Sequence, residues 1–183
     1  MTIDAGPGEL FTTVAREADV TAVVELVNSA YRGASSRRGW TTEADLLDGQ
    51  RTDAEAIVSL ITAPDSAILV VRGQSALKAC VHVRKEREGV AHLGMLTVRP
   101  ALQASLMGRQ LLAAAESYSR RQFGAHVVEM TVIDVREELI AWYERRGYRR
   151  TAELRPFPYG DERFGIPLRT DLRFVVLRRE LAP

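Results

Sequence analysis

VAHLGMLTVRPALQASLMGRQLL, Val90–Leu112, joins two kinds of chain. Its first half is an apolar run of strand length ending at Pro100, and its second half enters a helical period. Met107, Leu111, Ala114, Ala115 and Tyr118 fall on one apolar stripe, and Gly124 stands where a helix over residues 103–123 would stop. A strand therefore feeds a helix through a short loop. The free N–H groups and positive dipole end of such a helix make a ready seat for phosphate oxygens. Glycines would help by admitting a ligand close to the backbone, and only Gly108 is present in this loop. Standing alone, the stretch reads as an ordinary helix entry.

Outward from this junction the two element types keep alternating. Upstream, SAILVVRG (Ser66–Gly73) and ALKACVHVRKE (Ala76–Glu86) read as strands joined at a tight Gly73-Gln74-Ser75 turn. DVTAVVELVNSAYR (Asp19–Arg32) carries a helical period behind an N-cap candidate, Asp19. A second helical pattern runs from near Thr42, interrupted around Gly49, to Ile61. FTTVARE (Phe11–Glu17) reads as a short strand. Downstream, HVVEMTVIDV (His126–Val135) is a strand and REELIAWYERRGY (Arg136–Tyr148) a helix closing at Gly147. RRTAELRPF (Arg149–Phe157) and LRFVVLRREL (Leu172–Leu181) are the last two strands, separated by a loop rich in Pro, Gly and aromatics. The order β-α-α-β-β-β-α-β-α-β-β mixes hairpins with strand-helix-strand units, which implies a mixed sheet with helices on both faces.

Composition narrows the possibilities. The 183 residues suit one domain, and 46% apolar and 27% charged residues are ordinary for a soluble one. A net charge of +1 gives no global field toward nucleic acid or membrane, so neither partner is expected. The pairs Arg37-Arg38, Arg145-Arg146, Arg149-Arg150 and Arg178-Arg179 read as solvated faces. No apolar run approaches the ~20 residues of a membrane span. The opening MTIDAGPGELF has neither the basic nor the apolar region of a signal peptide, and the cytoplasm is the expected location. Cys80 is the only cysteine, so an intramolecular disulfide is excluded, and its strand context makes it buried filler.

The junction, the strand HLGMLTV before it and the later WYERRGY together resemble the GNAT superfamily of acyl-CoA-dependent N-acetyltransferases, over about residues 9–181. The resemblance implies an α/β (α+β) fold over residues 1–183 as a single GNAT-like domain. Its central sheet would be mixed, mostly antiparallel, twisted and of about seven strands, with helices on both faces and a splayed coenzyme-binding cleft. It implies acetyl-CoA as cosubstrate, no metal, and a small-molecule or peptide amine as acceptor. Superfamily members often dimerise, and the sequence leaves a homodimer open.

In the superfamily a [Q/R]-x-x-G-x-[G/A] loop wraps the coenzyme pyrophosphate. Gln103 takes its first place and Gly108 its last, Leu106 replaces the central glycine, and Ala104 stands where glycine is common. The pyrophosphate would rest on Gln103, Ala104, Ser105, Leu106, Met107, Gly108 and Arg109, with Arg136 at a phosphate. A left-handed Leu106 would cost roughly 1–2 kcal/mol, a ~5- to 30-fold loss if it all appeared in binding. The expectation is instead a right-handed Leu106 with its side chain turned from the phosphates. Leu96, Thr97 and Val98 would pair with the pantetheine arm as an added strand.

The pattern N-x-x-A-x-x-x-Y-x-x-x-G-[F/Y] matches at Tyr143, Gly147 and Tyr148 and departs at Arg136 and Leu139. The resemblance makes Tyr143 the acid that protonates the departing thiolate, a task suited to a phenol with a pKa near 10. His92 or Glu129 would be the base that frees the acceptor amine. The acceptor would meet Tyr31, Trp40, Phe157 and Tyr159, with aromatic faces available to an amine. A module that keeps the fold and senses an acyl-coenzyme is the alternative to an enzyme, favoured by the loop departures and opposed by Tyr143.

Overall fold

The computed structural model describes residues 11–162 and 165–182. Its elements in chain order are β1 (Thr13–Val14), α1 (Val20–Tyr31), α2 (Gly33–Ser36), β2 (Leu47–Asp48), α3 (Ala54–Thr62), β3 (Ser66–Arg72), β4 (Leu77–Arg87), β5 (Val90–Val98), α4 (Met107–Phe123), β6 (Val127–Ile133), α5 (Glu137–Glu144), β7 (Arg149–Pro156), β8 (Ile166–Pro167) and β9 (Arg173–Glu180). The main sheet has seven strands in the order β1-β3-β4-β5-β6-β9-β7, and β2 pairs with β8 in a separate ribbon. Among the described residues only β5 and β6 run parallel; the other neighbours in this sheet are antiparallel. This is the mixed, mostly antiparallel sheet that the sequence implied.

Alternation along β3 shows how the two faces are filled. Ile68 and Val70 join a cluster with Val23, Leu26 and Val27 of α1 and Ile57 of α3. Leu69 and Val71 join the other cluster, with Leu111, Leu112 and Ala115 of α4 and Ile140 of α5. Helices thus cover both faces. Gly124 ends α4 in the left-handed conformation, φ 63°, with its N–H on Arg120 O at 3.1 Å, a stop that glycine makes without strain.

The centre of the sheet opens. Parallel pairing of β5 with β6 extends only over Val90–His92 against Val127–Glu129. Beyond it β5 is bulged: the register with β4 passes from Cys80↔Thr97 to His82↔Gly94, and Met95 takes a φ of 51°. The bulge turns the end of β5 away from β6 and leaves a cleft between them.

Two expected elements differ. The helix read from Thr42 begins only at Ala54. Glu43 is instead drawn into buried ion pairs with Arg32 and Arg136, and Leu47–Asp48 pairs with Ile166–Pro167. The helix after Pro100 starts at Met107, because Pro100–Leu102 forms a 3₁₀ turn and Ala104 has a φ of 65°.

Candidate active site

Two cavities meet at the open end of β5. The first, about 370 Å³, is lined by Thr97, Val98, the loop residues Gln103–Leu106 and Gly108, and Trp40, Trp142 and Arg146. The second, about 250 Å³, is lined by His92, Glu43, Arg51, Met130, Phe157 and Phe174 among others. Tyr31, Leu96, Arg136, Leu139 and Tyr143 line both.

The first cavity has the backbone edge of β5 on one side and the side chains of Tyr31, Trp40, Trp142 and Arg146 around it. Arg99 donates its N–H to Lys78 O at 2.9 Å, so the ladder to β4 uses the groups of Arg99 and, by alternation, Thr97. Leu96 and Val98 turn theirs to the cleft. The Tyr31 hydroxyl donates to Leu96 O at 3.1 Å and the Gln103 amide to Val98 O at 3.1 Å, so side chains now occupy two acceptors on this edge.

At the mouth lies the loop into α4. The Ser105 hydroxyl donates to Leu102 O at 2.7 Å and accepts from Met107 N–H at 3.3 Å. The N–H groups of Ala104, Ser105, Leu106, Gly108 and Arg109 reach no acceptor among the described residues. Five free donors at the start of a 17-residue helix are groups of the kind that can accept an anion. Leu106 is right-handed, φ −70° and ψ −8°, and 63% exposed, so the missing central glycine costs no backbone strain. The left-handed residue is Ala104, and the cost of roughly 1–2 kcal/mol falls there.

Cationic groups near this mouth differ from the expected one. Arg136 donates to Glu43 Oε1 at 2.6 Å and Thr41 Oγ1 at 2.8 Å, which leaves its guanidinium committed away from a phosphate. Arg146 lies 3.6 Å from the Trp142 ring centroid and lines the first cavity. Arg109 is exposed on the outer face of α4, and Met107 packs its side chain on the core.

Tyr143 stands where the cavities meet. It is 6% exposed, edge-on to Trp142 and Tyr148 at centroid distances of 5.0 and 5.7 Å. Burial, reinforced by Tyr31, pushes its pKa further above 10, so the hydroxyl stays protonated. His92 faces the second cavity with Nδ1 buried and unpartnered among the described residues. Burial, then Arg84 and Arg155, pushes its pKa down to about 4, so it is neutral near pH 7. Glu129 lines neither cavity; Arg87 holds it at 2.7 Å and Arg178 stands 3.8 Å away.

The expected acceptor residues separate. Phe157 is buried in the floor of the second cavity, stacked on Phe174 at 5.4 Å. Tyr159 lines neither cavity, because its hydroxyl accepts Leu172 N–H at 2.7 Å. Trp40 lies over the first cavity, 6.3 Å from Trp142, and not over the second. Sequence reading missed Glu43, Arg32 and Arg51, since charged residues in a loop carry no period that marks them as buried.

A model of the acetyltransferase (GNAT) family matches residues 21–148, which include β5, the loop, α4 and Tyr143. The chain belongs to the GNAT acetyltransferase family. No curated protein matches it significantly by sequence. Solved structures share the GNAT fold at low identity. A structure of yncA from Salmonella typhimurium with its cofactor acetyl-CoA is 19% identical, with a TM-score of 0.68 over 94% of each chain. A ribosomal-protein-alanine N-acetyltransferase from Brucella melitensis is 16% identical, with a TM-score of 0.68 over 94% of this chain and 100% of that one. A mutant of the spermidine N-acetyltransferase SpeG from Vibrio cholerae is 14% identical, with a TM-score of 0.64 over 93% of this chain and 95% of that one.

Proposed function

We propose that this GNAT chain moves an acetyl group from acetyl-CoA to a primary amine by direct attack on the thioester. The observation that carries the reading is the set of five free N–H groups at the start of α4, four of them on residues that line a cavity ending at Tyr143. The thioester supplies an activated acyl group. The loop N–H groups seat the pyrophosphate, and the cleft-facing groups of Leu96 and Val98 align the amide-rich arm, displacing the Gln103 amide from Val98 O. Arg146 adds positive charge at the rim.

The acceptor enters from the second cavity. Neutral His92 takes its proton through water, and the backbone near Leu96 stabilises the oxyanion that forms. Tyr143 then gives its proton to the thiolate. Burial keeps the phenol protonated until the thiolate forms, and a desolvated thiolate is a stronger base than one in water. Cys80 stays outside this scheme. It is fully buried and its thiol is pushed up to about 12, which disfavours a covalent acyl-enzyme.

Acetyl-CoA-dependent thiol release with a panel of amines tests the reading. Tyr143→Phe is expected to lower kcat at least about 100-fold, the scale of a lost general acid. Its affinity for acetyl-CoA should stay within about twofold. Unchanged turnover removes the tyrosine from the mechanism, and binding without turnover of any amine favours the sensor.

A further inference from the structure

We propose that the acceptor is a carboxylate-bearing amine with an apolar body, in the simplest case an α-amino acid, and that Arg51 holds its carboxylate. The inference rests on the acetyl-transfer reading of the same cleft and adds the substrate class.

Arg51 follows β2 and lines the second cavity and a wider vestibule of about 560 Å³, which also shares His92, Gly94 and Met95. Its guanidinium lies over the Tyr31 ring, 5.5 Å from the centroid. Among the described residues it has no ion-pair partner, whereas Arg32 and Arg136 are both paired to Glu43. Its backbone is fixed: Asn28 Oδ1 accepts Arg51 N–H at 2.7 Å and Thr52 N–H at 3.2 Å, while Asn28 Nδ2 donates to Thr52 O at 2.9 Å. An arginine whose backbone is fixed by Asn28 and whose guanidinium lies over Tyr31, making no ion pair within 4.0 Å among the described residues, suits bidentate recognition of a carboxylate.

The surrounding charges favour the same class. Both oxygens of Glu43 are taken, Oε2 by Arg32 and Oε1 by Arg136, so neither is left to hold an ammonium. Arg32, Arg51 and Arg136 surround Glu43, and Arg84 stands with Asp53 and Glu55 at the vestibule, so the local balance stays positive and attracts an anion. The same field favours the neutral form of an acceptor amine, which eases the proton loss required before attack. Leu47, Ile133, Phe157 and Phe174 supply the apolar remainder of the wall. Its volume of about 250 Å³ is below the roughly 300–1,000 Å³ of drug-sized ligand sites, so the second cavity suits a small acceptor.

The test compares amino acids with their decarboxylated amines: leucine with 3-methylbutylamine, and phenylalanine with 2-phenylethylamine. In thiol-release assays with acetyl-CoA, kcat/KM is expected to favour the acid of a pair by at least about tenfold, as for a charge-assisted pair. In Arg51→Gln that ratio should fall toward one, and Arg51→Lys should lie between. A wild-type ratio of one or less, or a ratio unchanged in Arg51→Gln, overturns the proposal. Binding is read separately by calorimetry with N-acetyl-leucine and N-(3-methylbutyl)acetamide. The acid should bind more tightly, and Arg51→Gln should weaken it about tenfold; equal affinities overturn the assignment even if no amine is turned over. If acetyl-CoA fails to bind while N-acetyl-leucine binds through Arg51, the acetyl-transfer reading falls and the carboxylate site stands.

Discussion

The two cavities that meet at Tyr143 are built from different material. The first is bordered by the bulged end of β5 and the loop into α4, where backbone N–H groups are left free. The second is closed by side chains from α1, the β2 region, β5, β6, α5 and β9, with Phe157 just after β7. Backbone seats tolerate substitution, which is why Leu106 can replace a glycine without losing a donor. Side-chain walls depend on partners far apart in the chain, as Arg32, Glu43 and Arg136 do.

The contrast is broken most directly at Glu43. Glu43→Gln leaves two buried guanidinium groups without their carboxylate, and unfolding free energy at pH 7 is expected to fall by about 3–5 kcal/mol. Urea unfolding measures it, and a loss below about 1 kcal/mol would show that the network does not hold the wall. Acid should weaken the same region. Burial alone would raise the Glu43 carboxyl, but Arg136, Arg51 and Arg32 outweigh it and hold the pKa below its ordinary 4.5. That contribution is complete above about 4.5 and is lost as pH falls through the depressed folded value. Burial pushes His82 and His92 down to about 4. Between their ordinary 6.5 and about 4 the unfolded chain takes up protons that the folded chain refuses, so stability declines there as pH falls. A melting temperature flat from pH 7 to 4.5 contradicts this.

Substitutions in the loop of the first cavity should matter less, and unequally. Ala104→Gly removes the left-handed strain at φ 65° and is expected to stabilise the chain by about 0.5–1 kcal/mol, after the added freedom of glycine when unfolded. Leu106→Ala, at an exposed right-handed position, should change stability by less than about 0.5 kcal/mol. Thermal melts of both variants check the order, and a reversed order would move the strain to Leu106.

Legibility in the sequence divides along the same line. Strand period, the Gly73 hairpin and the Gly124 stop were readable because each is a local backbone preference, and the family pattern marked Tyr143, which lines both cavities. Leu106 followed from the low cost of right-handed angles. The stretch after Thr42 was misread because tertiary ion pairs at Glu43 and the β2–β8 ribbon override a weak helical pattern. Arg136 and Tyr159 could not be placed from spacing: Glu43 and Thr41 hold one, and Leu172 N–H holds the other. Arg51 carries no local sequence signal, because its place at the cavity depends on Asn28, 23 residues earlier in the chain.

The central claim is that the loop into α4 seats the phosphates of acetyl-CoA despite its missing glycines. Titration calorimetry of the wild-type chain with acetyl-CoA tests it most directly. The expected result is saturable binding with a Kd well below millimolar, competed by coenzyme A. No measurable heat or competition at millimolar acetyl-CoA would contradict it.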